Sequence, residues 1–451
     1  MAKVSTDLGI TFGGLKFKSP IGVGAVGAPC GKRDKITAEM HAEVLLKHAE
    51  AGASYIQIAN FTYATEKTLR KIEEHAKQAP PEARILPPNM RPGSRIMGAY
   101  GAHHELEGLY VLLGQRTTPE TAKAVPAQEL VKIVKKRKPA DVRIIINLLG
   151  FGELPDSWVD GAKKAEELGA DMIELNLSCP MHPALRDAVD DFEQQRFEAR
   201  FYGGIIGEMP DIIENLTREV SKAVSIPVGV KLSPETGMLR VAGLAKRVRD
   251  AGGKFVTSVN CGITIAPPDI YNRGKSIWPS ADGGAFVGTS GPWLRHNCYR
   301  DVAAIARFAP GIDIAASGGL MTPQNCVEAL MLGARQVQLC TGVMIEGRNF
   351  IRRCDSFLKK FIIEQGYGSV EEIVGLAQQH IKYVDDVNYS VKYVSATDDT
   401  KCTKCGVCAD NICVARSMED GEAKVNEDLC NGCGACLVCC SADAIKLVEV
   451  T

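Results

Sequence analysis

The segment DMIELNLSCP, residues 171–180, is mostly apolar along its length and closes on polar and reactive side chains, Asn176, Ser178 and Cys179. A strand buried on both faces of a parallel sheet reads as such a run. Seven further runs of this kind recur along the chain: IGVG (21–24), YIQIANF (55–61), RIIINLL (143–149), PVGVKLS (227–233), FVTSVNC (255–261), IDIAASG (312–318) and QVQLCTG (336–342). Amphipathic stretches such as TAEMHAEVLLKHAEAGA and SGPWLRHNCYRDVAAIARFA separate them. The pairs Gly52-Ala53, Gly169-Ala170 and Gly333-Ala334 stand where helices should end. Eight βα units between about residues 15 and 345 have the number and size of a (β/α)8 TIM barrel. The rival is a doubly wound sheet, which the literal GxGxxG of Gly22 to Gly27 would favour. Pro29, Cys30 and Gly31 follow where the phosphate-binding helix should begin, so the context of a dinucleotide site is missing.

In a barrel, chemistry collects at the C-terminal ends of the strands. Those ends carry Asn60, Asn147, Asn176, Ser178, Cys179, Lys231, Asn260 and Cys261. Amides and one lysine at successive strand ends would converge on a single pocket. Core packing does not explain them, because a buried amide without a partner costs about 1–3 kcal/mol. The plainer alternative is that each asparagine caps its following loop. Ser317-Gly318-Gly319 and Cys340-Thr341-Gly342 end the seventh and eighth strands, where barrels hold phosphate on exposed backbone N–H groups.

Composition narrows the function classes. The 451 residues carry 53 Lys+Arg against 54 Asp+Glu, a net charge of −1, which gives no field for nucleic acid or an anionic membrane. No apolar run approaches the ~18–20 residues of a membrane span, and MAKVSTDLGITF lacks a signal-peptide core, so a cytoplasmic protein is expected. Nine of the 16 cysteines fall in the last fifty residues, a distribution that argues for metal over disulfides. Cys402, Cys405, Cys408 and Cys413 form one run; Cys430, Cys433, Cys436 and Cys440 form another. Two such runs are the ligand pattern of a bacterial ferredoxin with two 4Fe-4S clusters. The crossed pattern assigns Cys402, Cys405, Cys408 and Cys440 to one cluster, and Cys430, Cys433, Cys436 and Cys413 to the other. Cys439 is left over as a small packing residue. The expected domains are a barrel over 1–385 and a two-cluster ferredoxin-like domain over 386–451.

GGLKFKSPIGVGA (13–25), ELNLSCP (174–180), VKLSP (230–234), VTSVNC (256–261), IWP (277–279) followed by GGAFVGTSG, ASGGL (316–320) and QLCTG (338–342) occur in this order. The series resembles the dihydroorotate/dihydropyrimidine dehydrogenase family of flavoproteins, and the cysteine-rich tail is similar to its dihydropyrimidine dehydrogenase branch. The resemblance implies FMN at the strand ends, touching Gly24, Ala25, Asn60, Lys231, Gly291, Ser317, Gly318, Gly319, Cys340, Thr341 and Gly342. It implies substrate contacts from Asn176 and Asn260, with Cys179 as the catalytic acid and Lys231 beside the flavin ring. The strand-end residues Asn60, Asn147, Ser178 and Cys261 join them as candidate substrate contacts, Asn147 because NLLGFG lacks the family's substrate-binding Asn at the end of strand three. Asn60 and Cys261 stand where the pyrimidine branch carries Lys and Thr. The loop after Pro180, MHPALRDAVDDFEQQRFEARFYGG, is long and charged where the family has glycines.

The expected function is an FMN and iron–sulfur oxidoreductase working on a C–C bond beside a carbonyl, with a pyrimidine as first substrate. Another enone or enoyl substrate is the first alternative, and an electron-relay subunit without catalysis the second. The expected partner is an NAD(P)H-oxidising flavoprotein subunit or a soluble ferredoxin, in a homodimer or hetero-oligomer. The segment 67–128 is read as an excursion over the barrel mouth. KIVKKRKPADVR (132–143) is read as a solvated helix end, and His103-His104 as surface loop.

Overall fold

A computed structural model describes residues 7–25, 36–78, 94–100, 109–114, 127–178, 205–265, 268–276, 287–388, 392–410 and 413–450. The chain divides into two units, residues 1–378 and 379–451.

The eight apolar runs become the eight staves of a closed parallel barrel: β1 (Ile21–Val23), β2 (Tyr55–Phe61), β3 (Arg143–Leu148), β4 (Met172–Asn176), β5 (Val228–Lys231), β6 (Phe255–Ser258), β7 (Asp313–Ser317) and β8 (Gln336–Leu339). They pair in chain order, and β8 closes on β1 through Val337–Ile21, Gln338–Gly22 and Leu339–Val23. Helices alternate with them: α1 (Ala38–Glu50), α2 (Ala127–Arg137), α3 (Pro155–Glu167), α4 (Pro210–Ala223), α5 (Met238–Asp250), α6 (Arg295–Phe308), α7 (Pro323–Met331) and α8 (Asn349–Glu364). Caps set their starts as the sequence allows. Thr322 and Asn325 form a reciprocal capping box on α7, with Pro323 in its first turn. The glycines read as helix ends take φ of +109° (Gly52), +87° (Gly169) and +119° (Gly333), the left-handed geometry of a C-terminal cap. No helix among the described residues is long and apolar enough to cross a membrane.

A hairpin, Ile10–Phe12 with Leu15–Phe17, plugs the N-terminal end of the barrel. Phe12 stacks on Phe255 at 4.9 Å between ring centres, and Phe17 meets Tyr55 at 5.9 Å. The Gly13 N–H donates to Asp313 Oδ2 at 2.7 Å, tying the plug to β7. Tyr55 fills the space inside β1, and its hydroxyl donates to the Val337 carbonyl at 2.9 Å. A Cβ on Gly22 would lie 2.1 Å from that ring. Gly22 is therefore glycine for barrel packing, and the GxGxxG lookalike needs no dinucleotide.

Segments after β2 and β6 build a four-stranded antiparallel sheet in the order Gly262–Thr264, Val287–Ser290, Leu109–Gly114, Ser94–Tyr100. Both segments leave the C-terminal ends of their staves, so the excursion between the second and third strands does contribute to the mouth side of the barrel. The excursion opens with a helix, Glu66–Ala76, while residues 79–93, 101–108 and 115–126, His103 and His104 among them, lie outside the described residues.

The second unit has a different economy. Lys392–Thr397 pairs antiparallel with Ile445–Val450, and Arg416–Glu419 with Glu422–Val425. Among the described residues its buried apolar cluster is Cys408, Cys436 and Ile445, with Ala423, Leu437, Cys439 and Cys440 packed against it, whereas the barrel's runs from Leu8 to Ile373.

Candidate active site

Side chains two apart on a strand share a face. Met172 reaches the plug at Gly13, so Glu174 and Asn176 on the same parity of β4 also point into the barrel. Glu174 is fully buried there. Its Oε1 accepts from Asn147 Nδ2 at 2.7 Å and lies 3.9 Å from the Lys231 ammonium. Its Oε2 accepts from the Thr257 hydroxyl at 2.5 Å and from Gln338 Nε2 at 2.8 Å. One carboxylate thus collects groups from β3, β5, β6 and β8.

The strand-end asparagines continue from that carboxylate. Asn176 Nδ2 donates to Asn147 Oδ1 at 3.0 Å, and Asn260 Nδ2 donates to Asn176 Oδ1 at 3.1 Å. Asn260 Nδ2 also reaches the Ser178 carbonyl and hydroxyl, both at 3.0 Å, and the Ser178 hydroxyl donates to the Lys231 carbonyl at 2.9 Å. Asn260 Oδ1 accepts the Cys261 N–H at 2.9 Å. Asn147, Asn176, Ser178, Lys231, Asn260 and Cys261, named from sequence as separate strand-end residues, are therefore one bonded group. Asn60 lies outside that chain, at a break in the β2–β3 register between Ile58 and Phe61. Irregularities of this kind re-aim side chains beside active sites. Cys179 lies outside the described residues, as do residues 180–204 and the IWP at 277–279.

The turns after β6, β7 and β8 come together beside this group. Gly318 and Gly319 have φ of +106° and +72°, and a Cβ on Gly319 would stand 2.3 Å from the Arg295 amide nitrogen at the start of α6. Only glycine allows that approach. Gly291, at φ +131°, opens the turn leading into α6. The hydroxyls of Ser290, at the end of the Val287–Ser290 strand, and of Thr341, at the start of the Thr341–Glu346 helix after β8, meet at 2.9 Å. Ser317 is buried, and its carbonyl accepts the Val259 N–H at 2.6 Å. Gly342 has a packing reason instead, since a Cβ there would meet the Phe350 ring at 2.4 Å. Gly24 caps β1 by donating to the Leu339 carbonyl at 2.9 Å, and Cys340 Sγ sits 4.0 Å from the Ala25 carbonyl. Burial pushes the Cys340 thiol up, with the Lys231 ammonium pulling the other way.

These residues fit a flavin mononucleotide. A close-set glycine turn at Gly318-Gly319 meets the first residue of α6, a place for phosphate. Lys231 offers a cation deep in the strand ends. Gln338 Oε1 is buried beside Gly24, 3.3 Å from where a Cβ would stand, and has no partner among the described residues. Such an acceptor fits a bound group bearing N–H donors.

In the second unit, Cys402, Cys405, Cys408, Cys439 and Cys440 line one cavity. The Ala444 N–H donates to Cys440 Sγ at 3.3 Å, and the Ser395 N–H to Cys430 Sγ at 3.4 Å. The Val407 N–H and the Thr403 hydroxyl draw the Cys405 thiol below its ordinary range. Burial opposes ionisation of Cys430, yet the Gly432 and Ser395 N–H groups outweigh it and lower that thiol as well. Backbone donors aimed at sulfur suit thiolate ligands. Among the described residues no three His, Cys, Asp or Glu side chains close on a single ion. Cys439 Sγ contacts the Cys436 carbonyl at 3.3 Å, and it faces the same cavity as Cys440.

Residues 121–362 match the family model described as dihydroorotate dehydrogenase, more than half of the chain. The chain belongs to the dihydroorotate dehydrogenase family. Within that family's wider circle, it is 28% identical over 289 residues to the NAD-dependent dihydropyrimidine dehydrogenase subunit PreA of Escherichia coli K12, covering 63% of this chain and 65% of that protein. The chain thus matches a little under two thirds of the length of that relative. It is 32% identical over 244 residues to the catalytic subunit of dihydroorotate dehydrogenase B (NAD(+)) of Pyrococcus furiosus, covering 54% of this chain and 72% of the relative. The corresponding subunit of Thermococcus kodakarensis is 34% identical over 237 residues, with 52% and 69% covered.

Sequence reading found the strand-end asparagines and the lysine but missed Glu174, Thr257 and Gln338. The signal was present: Glu174 is two residues before Asn176, on the same inward parity.

Proposed function

We propose that this member of the dihydroorotate dehydrogenase family is an FMN- and iron–sulfur-dependent oxidoreductase that interconverts a C–C and a C=C bond beside a carbonyl, with a pyrimidine as substrate. The observation that carries the reading is the bonded group of Asn147, Asn176, Asn260, Ser178 and Lys231 at consecutive strand ends, beside the glycine turn of Gly318-Gly319. FMN, when bound, supplies hydride transfer on one face of the substrate and exchange of single electrons with the clusters.

The protein's own part is binding, orientation and proton transfer. Neutral amides from Asn176 and Asn260, with Asn60 and Asn147 beside them, would hold the amide and carbonyl edge of a pyrimidine. The lysine ammonium would stabilise negative charge developing on the flavin ring. The thiol of Cys179, on the loop following β4, would give the proton to the carbon opposite the hydride, or take it in the reverse direction. The cysteines of the second unit would hold two 4Fe-4S clusters through Cys402, Cys405, Cys408 and Cys440, and through Cys430, Cys433, Cys436 and Cys413. Such clusters let a separate redox subunit or soluble ferredoxin exchange electrons with the barrel. The relatives' names, one a subunit and one a catalytic subunit, support a partner of that kind. Thiolate-held clusters also suit a reducing cytoplasm.

Anaerobic titration of the purified protein with uracil, thymine and their dihydro forms tests the substrate, read at the flavin band. Bleaching or a spectral shift supports a pyrimidine. No response from a protein holding FMN and about eight irons moves the substrate to another enone. A protein without flavin sinks the reading of the barrel. Cys179→Ala should keep flavin and clusters while turnover falls by about 100-fold or more; unchanged turnover removes Cys179 from the chemistry.

A further inference from the structure

We infer that Glu174 is a positioning residue: it anchors the Lys231 ammonium and fixes the direction of the asparagine chain that faces the substrate. The inference rests on the flavin reading above and adds to it a residue that touches neither flavin nor substrate.

The geometry is specific. A carboxylate with no exposed surface is costly unless it is paired and hydrogen-bonded. Glu174 meets both conditions through Asn147, Thr257, Gln338 and Lys231, the last its cationic partner at 3.9 Å. The pairing works in the other direction too. Lys231 is a flexible side chain with three donors, and the buried carboxylate gives it one place to rest.

The second effect is one of direction. An ionised carboxylate only accepts, so Asn147 must present its Nδ2 to Glu174. Its Oδ1 then faces Asn176, which must answer with Nδ2, leaving the Asn176 Oδ1 for Asn260 Nδ2. Each amide in the row is turned by the one before it, and the first is turned by Glu174. The donors and acceptors left over along that row are what a pyrimidine edge would read. Reversing an amide would exchange donor for acceptor, and a site built for one pattern rejects the other.

Glu174→Gln keeps the volume and removes the charge. With the carboxylate gone, the ammonium of Lys231 is no longer offset. The midpoint potential of bound FMN should therefore move to more positive values, and KM for the pyrimidine that bleaches the flavin should rise by about tenfold or more. A purely structural role would leave the potential where it was. A double-mutant cycle in the flavin-free protein reads the pairing independently: Glu174→Gln and Lys231→Met should each lower the thermal midpoint, and the double variant should lower it by less than their sum. Additive midpoints, or a folded and flavin-loaded Glu174→Gln with wild-type potential and KM, overturn the inference. A wild-type protein that holds no flavin overturns the reading beneath it, and is seen before any variant is made.

Discussion

His48, in the last turn of α1, is 8% exposed and its Nδ1 has no partner among the described residues. Burial holds its pKa at about 4, below the ordinary 6.5. The folded chain therefore wants this imidazole neutral. Its contribution is present in full above pH ~6.5 and is lost as pH falls toward about 4, amounting to about 3 kcal/mol at the acid end. The thermal midpoint of the barrel should drop between pH 7 and pH 5, and His48→Leu should flatten that dependence; an unchanged slope in the variant assigns the acid sensitivity elsewhere. At this scale the sequence was legible where chemistry breaks an apolar run at its end. Asn147, Asn176 and Asn260 stand out because an amide at a strand terminus has no packing excuse. Glu174 does not, because it sits mid-run, where the eye reads continuity and where its partners come from four other strands far along the chain.

Each of the eight staves was visible as an apolar run, and the strands fall within those runs. Parallel strands buried on both faces leave that signal in any sequence. The plug hairpin and the antiparallel sheet of residues 94–100, 109–114, 262–264 and 287–290 were not visible as strands. Their strands are short or pair segments from two distant excursions, and register of that sort is set by tertiary contact. The same contacts make the staves intolerant in particular places. Gly22→Ala would drive a methyl into the Tyr55 ring, 2.1 Å away, and should cost about 1–3 kcal/mol by overpacking, read as a lower denaturant midpoint. Gly319→Ala faces both the Arg295 backbone at 2.3 Å and a φ of +72°. It should weaken FMN retention by about tenfold in a protein that still unfolds cooperatively; full retention would remove that turn from the flavin site.

Across the whole molecule, the two units are stabilised by different means. The barrel owns a continuous apolar core from Leu8 to Ile373, while among the described residues of 379–451 the buried apolar side chains are few and small, Val394, Cys408, Ala415, Cys436, Ala444 and Ile445. A unit so poor in core needs another source of stability, and cluster binding is folding energy when the ligands come from the fold itself. Calorimetry should show two transitions. Anaerobic iron chelation should abolish the one from the smaller unit and leave the barrel's within a few degrees; a chelated protein with both transitions intact would mean that the cysteines stand without metal. The cysteine runs of the tail stand out from spacing alone, because ligands of a cluster would recur at fixed short intervals, whereas a hydrophobic core leaves no such count.

The phenylalanine plug carries a consequence for traffic. With Phe12, Phe17 and Tyr55 filling the base, the doorway left to a small molecule among the described residues is at the C-terminal ends of the staves. Whatever enters must leave by the way it came. A departing product therefore stands in the path of the next arrival, and should slow turnover by competing with it at the threshold.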